Sequence, residues 1–302
     1  MAMAHSYNDD LRLAHVLADN ADSLSMDRFR ALDLQVSTKP DMSLVTEADE
    51  AVEETIRRTL KSARTRDAVL GEEQGEESGS VEGDRIWIID PIDGTSNYVR
   101  GVPVWATLIA IAEEGEVVAS CVSAPALGRR WWASKGGGAF TGKSLMSAKE
   151  CHVSSVDDLA SAFLAYSSLG GWEEIGKLDE FIALTRRCWR TRGLGDFWSY
   201  MLLAEGTVDI AAEPELRVWD MAALDVIVRE AGGSFSGLNG KDGPWGANAL
   251  ASNTHLHEAA MAYLGHFPDT DDEQGGDIAP DGERFVNNVH DLAAHRRAPS
   301  ND

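Results

Sequence analysis

The stretch Ile86-Trp87-Ile88-Ile89-Asp90-Pro91-Ile92-Asp93-Gly94-Thr95 passes abruptly from apolar to acidic. Ile86 to Ile89 reads as a buried strand, because a short, continuous apolar run suits a strand covered on both faces. Asp90 and Asp93 follow at its end. Two carboxylates so placed cannot both be buried unpaired, since isolated ionised groups are very costly to desolvate. Pro91 and Gly94 suggest a tight turn that aims both inward. A divalent cation would compensate their charge; all-oxygen ligands select a hard ion, and Mg²⁺ fits best. Gly94 to Tyr98 can then open a helical turn whose unpaired N–H groups would meet an anion. Metal ligands and a phosphate cradle thus fall on one loop. Taken alone, the stretch could equally be an Asx-rich turn with solvated acids.

Working outward, Asp9 to Arg30 and Thr46 to Arg64 read as amphipathic helices, the second with Thr46 as a candidate N-cap. A Gly- and Glu-rich loop, Gly71 to Asp84, precedes the central strand. Strands are expected at Val104 to Ala112, Val117 to Ser123 and Arg130 to Ser134, with Gly115 turning the first hairpin. Beyond residue 150, helices (Glu173 to Arg187, Asp196 to Glu205, Asp220 to Ala231) alternate with strands (Trp189 to Gly193, Val208 to Ala212, Ala249 to Ser252). The alternation implies an α/β half after an α+β half. We therefore expect units at 1–148 and 149–266, followed by an acidic, disordered tail at 267–302 or a short interaction helix near 283–294.

Further acids lie near element ends. Glu72 and Glu73 follow the apolar Ala68-Val69-Leu70 and Gly71; Asp49 sits in the first turn of the second helix; Asp220 opens an apolar helix, where its default role is N-capping. The whole chain has 302 residues, 43% of them hydrophobic, which suffices for a sizeable core. Its 50 acidic residues against 27 basic ones give a formal charge of −23. Such a field disfavours nucleic acid and anionic membrane surfaces as partners. Three cysteines, none in a CxxC pair, fit a reducing cytoplasmic setting. There is no signal-peptide pattern and no spanning apolar run.

Taken together, Gly71-Glu72-Glu73, Trp87-Ile88-Ile89-Asp90-Pro91-Ile92-Asp93-Gly94-Thr95, and Trp219-Asp220 with Glu230-Ala231-Gly232-Gly233 resemble the inositol monophosphatase superfamily. Its members are Mg²⁺-dependent, lithium-sensitive phosphomonoesterases. The resemblance runs from about residue 9 to residue 265. Val99-Arg100-Gly101-Val102-Pro103-Val104-Trp105-Ala106-Thr107, Arg129-Arg130-Trp131-Trp132-Ala133, Gly195-Asp196-Phe197-Trp198-Ser199-Tyr200 and Ala212-Glu213-Pro214-Glu215 look like its actinobacterial histidinol-phosphate phosphatase branch.

This resemblance implies an α/β fold, a layered α-β-α-β-α sandwich, commonly dimeric, with the apolar hairpin strands as a candidate contact. It implies two or three Mg²⁺ ions held by Glu72, Asp90, Asp93, Asp220 and the carbonyl of Ile92. Thr95 and Asp49 would orient the attacking water, with Glu73 beside them, and Gly94 and Thr95 would bind phosphate. The substrate would be a small phosphate ester. Glu213 matches the family's substrate-contacting acid. Asp196, alternatively a helix N-cap, and Glu215 join it as candidates for recognising a cationic substrate such as histidinol phosphate. Inositol 1-phosphate is the alternative substrate, and a non-catalytic binding protein on the same fold is the alternative class. Two departures stand out: Ser96 lies where the branch often carries Lys, and Lys39 aligns only approximately with a basic residue of the family's mobile first loop.

Two patterns point elsewhere. Gly137-Gly138-Ala139-Phe140-Thr141-Gly142-Lys143-Ser144 fits GxxxxGK[ST], but the segment after it is mostly polar, so a glycine-rich turn before a strand is expected instead of a nucleotide loop. His255 and His257 cannot face each other on a helix and read as a solvated segment. Trp131, Trp132 and Trp172 are expected to be buried in the core or an interface.

Overall fold

The computed structural model describes residues 7–77 and 85–265; the predicted tail at 267–302 lies outside them. Helices α1 (Asn8–Arg28) and α2 (Glu47–Ala63) flank an antiparallel pair, β1 (Val36–Thr38) and β2 (Leu44–Thr46). Next come β3 (Ala68–Gly71), β4 (Gly75–Glu77), β5 (Arg85–Asp93), β6 (Ala106–Glu113), β7 (Glu116–Ala124), β8 (Arg129–Ser134), β9 (Gly138–Gly142) and β10 (Lys149–Glu150). They form one sheet in the order β10-β9-β8-β7-β6-β5-β3-β4, and α3 (Thr95–Arg100) leaves the end of β5. A second sheet collects β11 (Phe163–Tyr166), β12 (Arg190–Gly193), β13 (Ile210–Glu213), β14 (Ser234–Ser236) and β15 (Ala249–Ser252), in the order β12-β11-β13-β15-β14. Helices α4 (Gly170–Glu174), α5 (Leu178–Thr185), α6 (Asp196–Ala204), α7 (Val218–Glu230) and α8 (His257–Leu264) surround it.

The layers follow from side-chain alternation. Trp87 and Ile89 of β5 with Ile109 and Ile111 of β6 meet Leu17, Val52 and Ile56 of α1 and α2. Ile88, Leu108 and Ala110, on the opposite face, meet α6 and α7. The second sheet divides likewise: Ala165, Ala211, Ala249 and Ala251 face α6 and α7, while Leu164, Ile210 and Leu250 face Trp172, Phe181 and Leu264. Small residues on the inner face let the shared helix layer approach both sheets. The result is the expected helix–sheet–helix–sheet–helix sandwich.

Several expectations change. The central strand does not end at Ile89 in a tight turn but runs to Asp93, and its pairing with β6 shifts register between Asp90 and Asp93. Such a bulge tolerates Pro91 and re-aims side chains; the hydroxyl of Thr107 donates to the Pro91 carbonyl at 2.8 Å. The expected helix Glu173 to Arg187 is two helices, broken at Gly176, whose φ is +69°. Residues 138–142 form strand β9 and not a turn. The loop expected over residues 71–84 includes β4. Both faces of the β6–β7 hairpin are covered by helices of the same chain, so it has no bare apolar face for a partner. No helix among the described residues is long and apolar enough to cross a membrane.

Candidate active site

The acids converge where the ends of β3, β5 and β13 meet the start of α7. Asp90 on β5 is 1% exposed. One oxygen from each of Asp90, Asp93 and Asp220 lies within 4.8 Å of the others, an arrangement that can hold a metal ion. Asp93 Oδ2 accepts the N–H of Phe197 at 2.8 Å, and Asp220 Oδ2 that of Arg217 at 2.7 Å. Asp220 is therefore not an N-cap; Arg217 holds that position and Asp220 sits three residues later. Asp90 Oδ1 is buried with no hydrogen-bond partner among the described residues. An orphaned carboxylate oxygen facing two further carboxylates fits a hard divalent cation better than any neutral packing.

The electrostatics agree. Burial first, then Glu72, Asp93 and Asp220, push the Asp90 pKa well above the carboxylate range. Burial and then Asp196 and Asp220 do the same to Asp93. Burial lifts Asp220 to about 7 against the Arg217 N–H. Like charges so close cannot all ionise without compensation.

Glu72 stands outside that triad of oxygens. Its Oε1 accepts from Lys39 Nζ at 2.7 Å, and Glu73 Oε1 accepts from the same ammonium at 2.9 Å. Burial works against the Lys39 charge, but the two carboxylates hold its pKa above the ordinary value. Burial raises Glu73 to about 7, with Lys39 opposing. Asp49 and Thr95 do meet: the Thr95 hydroxyl lies 3.3 Å from Asp49 Oδ1 and 3.0 Å from the Ile92 carbonyl oxygen. Asp49 is also half of a capping box, its Oδ2 accepting from Thr46 N at 2.8 Å and Thr46 Oγ1 at 2.6 Å. Burial lifts it to about 6. Gly94, at φ +85°, caps α3; an added Cβ there would lie 3.0 Å from Asp196 Oδ2 and from the Val104 carbonyl oxygen. The opening N–H groups of α3 have no intrahelical acceptor, and Gly94, Thr95 and Asn97 line a cavity of about 580 Å³ that Glu72 also borders.

A second cavity, about 430 Å³, adjoins it through Ser167 and Asp196 and is bordered by Asp93, Asp220, Glu213 and Tyr200. Asp196 is not an N-cap either. It takes φ +49°, a left-handed conformation that costs a non-glycine residue energy. Its Oδ2 accepts from Asn97 Nδ2 at 2.9 Å. Ser167 Oγ joins the two acids, accepting from Asp196 N at 2.9 Å and donating to Glu213 Oε1 at 2.7 Å. Burial raises Glu213 to about 8 and Asp196 to about 6.

Sequence reasoning passed over Glu53, Arg57, Asn97 and Ser167, and took in Tyr200 only as the last residue of the branch-like string that begins at Gly195. Glu53 is fully buried, and its carboxylate accepts from Glu73 N at 2.8 Å, Gln74 N at 3.1 Å and Arg57 Nε at 2.8 Å. Gly71 is required beside it, because a Cβ would lie 2.3 Å from Glu53 Oε1. Glu53 thus ties the Glu72–Glu73 turn to α2. The available signal was an i,i+4 Glu–Arg pair beside the apolar stripe Val52-Ile56-Leu60. Glu53→Ala is expected to cost about 3 kcal/mol, because it removes the buried carboxylate beside Arg57 and leaves that guanidinium only the exposed Glu77 at 3.8 Å and two backbone carbonyls, checked by urea unfolding.

The remaining motifs have structural uses. Glu230 accepts the N–H groups of Gly136 at 2.8 Å and Gly138 at 2.9 Å, so the glycine-rich turn holds a carboxylate of its own chain. His257 is not solvated: its ring is clasped by Ser236 Oγ at 2.9 Å and Ser252 Oγ at 3.0 Å. Trp131, Trp132 and Trp172 are buried, the last stacked on Phe181.

The family model described as the inositol monophosphatase family matches residues 9–267. A histidinol-phosphatase from Streptomyces coelicolor is 63% identical over 85% of this chain and 97% of its own. One from Mycobacterium tuberculosis is 54% identical over 85% and 98%. Among solved structures, an inositol monophosphatase from Zymomonas mobilis aligns with a TM-score of 0.75 and 31% identity over 86% of this chain and 99% of its own.

Proposed function

This chain belongs to the inositol monophosphatase family, and on that premise we propose that it hydrolyses histidinol phosphate to histidinol and phosphate, using Mg²⁺. The observation that carries the substrate is the second cavity. Glu213, Asp196, Glu215 and Glu174 line it, and no Lys or Arg does among the described residues. Histidinol phosphate presents an ammonium and an imidazole beyond its phosphate, and such a wall favours a cation over a neutral polyol. The similarity to two histidinol-phosphatases supports the same choice.

Asp90, Asp93 and Asp220, with Glu72 and the Ile92 carbonyl, would hold two or three ions. Bound Mg²⁺ supplies positive charge to the phosphate oxygens and the departing alkoxide, and acidifies a water. The protein does the rest. The Gly94 and Thr95 N–H groups bind phosphate. The Thr95 hydroxyl donates toward Asp49 or the Ile92 carbonyl, which leaves its oxygen lone pairs to orient the attacking water. Glu73, which shares the Lys39 ammonium with Glu72, would partner a metal-bound water from behind that ligand. No protein nucleophile is required, because positioning and electrostatics carry phosphoryl transfer. Glu213 and Asp196 bind the ammonium.

Phosphate release from histidinol phosphate and from inositol 1-phosphate, with and without Mg²⁺, tests the reading. Faster release from inositol 1-phosphate would reassign the substrate, and no release from either would remove the enzyme reading. Glu213→Gln should lower kcat/KM for histidinol phosphate by about ten- to a hundredfold, the worth of a charge-assisted hydrogen bond. A neutral phosphomonoester should lose much less; equal losses would reject the recognition role.

A further inference from the structure

Tyr200 is 1% exposed, yet it lines the acidic cavity between the carboxylate triad and Glu213. Its hydroxyl is buried and has no hydrogen-bond partner among the described residues. A buried phenol normally finds one. The ring is fixed, tilted at 37° against Phe235 with centroids 5.7 Å apart. Tyr200 stands four residues after Asp196 on α6, so both side chains share the helix face turned to the cavity.

The cavity's other groups show what the hydroxyl is for. Its carboxylates, once ionised, only accept hydrogen bonds. Ser167 Oγ already spends its proton on Glu213. A phenol, with an ordinary pKa of about 10, keeps its proton at neutral pH; Ser168 also lines the cavity but is exposed to solvent, so Tyr200 is the buried hydroxyl left to donate among these acids. A ligand made only of an ammonium and a phosphate would leave that donor idle. A neutral imidazole carries one N–H donor and one bare nitrogen acceptor; the acids can take the donor, and the acceptor needs an O–H.

We propose that Tyr200 is a specificity-determining residue whose hydroxyl donates a hydrogen bond to the unprotonated ring nitrogen of the substrate's imidazole. The proposal rests on histidinol phosphate being the substrate. It separates two tasks within one cavity: Glu213 and Asp196 read the positive charge, and Tyr200 reads the heteroaromatic ring.

The test uses Tyr200→Phe and two esters: histidinol phosphate, and the phosphate ester of 2-amino-3-phenylpropan-1-ol, which keeps the phosphate and ammonium and replaces imidazole by phenyl. The wild-type protein should favour histidinol phosphate. In Tyr200→Phe, kcat/KM for histidinol phosphate should fall by about ten- to thirtyfold, mainly through KM, as expected for one lost hydrogen bond. The phenyl ester should be hydrolysed as by the wild type. The melting temperature of the ligand-free variant should be unchanged or higher, because an unpartnered buried hydroxyl has been removed. Equal losses on both esters, no loss on either, or a lower melting temperature would overturn the assignment. A wild-type protein that hydrolyses the phenyl ester but not histidinol phosphate would overturn the substrate reading, and Tyr200's role with it.

Discussion

Asp90→Asn should abolish turnover while making the metal-free protein more stable. The amide keeps the shape of the carboxyl group but removes one charge from a cluster whose oxygens lie within 4.8 Å of one another. Loss of a cation's transition-state charge stabilisation is worth several kcal/mol, and each 1.36 kcal/mol is tenfold in rate, so phosphate release should fall by at least about 10³-fold. Ligand-free stability should move the other way. Asp90 Oδ1 is buried without a partner among the described residues, and because burial and Glu72 raise its pKa, ionising it in the metal-free protein costs energy that a neutral amide does not incur. The checks are single-turnover phosphate release and thermal unfolding in chelator. An active Asp90→Asn protein, or one that melts lower than the parent in chelator, would contradict the role given to Asp90.

Removing metal from the unaltered protein should expose the same charge as a pH dependence of stability. Folding raises the pKa of Asp49 and Asp196 to about 6, of Asp220 and Glu73 to about 7, and of Glu213 to about 8, burial being the largest cause in each case. Unfolded carboxylates titrate near 4. A group whose pKa rises on folding stabilises the protein fully below its unfolded value, and that contribution is lost as pH climbs through the folded value. Chelated protein should therefore lose stability between about pH 4 and pH 8, by on the order of a few kcal/mol. Saturating Mg²⁺ favours the ionised carboxylates and should flatten the slope; at a hundredfold excess over Kd, one ion adds about 2.7 kcal/mol. Melting temperatures at pH 5.5 and 8.0, with chelator and with Mg²⁺, decide the matter. Chelated protein that is as stable at pH 8.0 as at 5.5 would contradict the burial of these charges.

How far the sequence reveals this molecule depends on the range over which each signal acts. Strand β5 and the long helices were legible because apolar periodicity is local. The short pairs β1–β2 and β14–β15 were not all visible: Val36-Ser37-Thr38 and Ser234-Phe235-Ser236 are too brief and too mixed to show a period. Gly176 marks the break between α4 and α5, but an isolated glycine is tolerated inside a helical pattern and so does not by itself signal one. The motifs brought Asp90, Asp93, Asp220, Thr95 and Asp49 to notice, and the structure places them around one site. Glu53 was not found, and Tyr200 stood in a quoted string without a role, because what each does depends on partners far away in the chain: an N–H turn against α2 in one case, a cavity wall in the other. The Asp90–Asp93 stretch looked like a turn because Pro and Gly punctuate turns and bulges alike.

The triad also has a kinetic meaning. Asp90 and Asp93 end β5, whereas Asp220 enters from α7, which packs across β5, β6, β7 and β8 from the far side of the sequence. Contacts of such large sequence separation form late, after loop-closure entropy has been overcome. The ligand cage is therefore expected to close late, and a cation that needs all three carboxylates would bind behind the folding barrier. Its stabilisation falls on the native side of that barrier, where it slows escape without hastening arrival. A metal held by all three carboxylates would then act as a brake on unfolding and leave the folding rate unchanged.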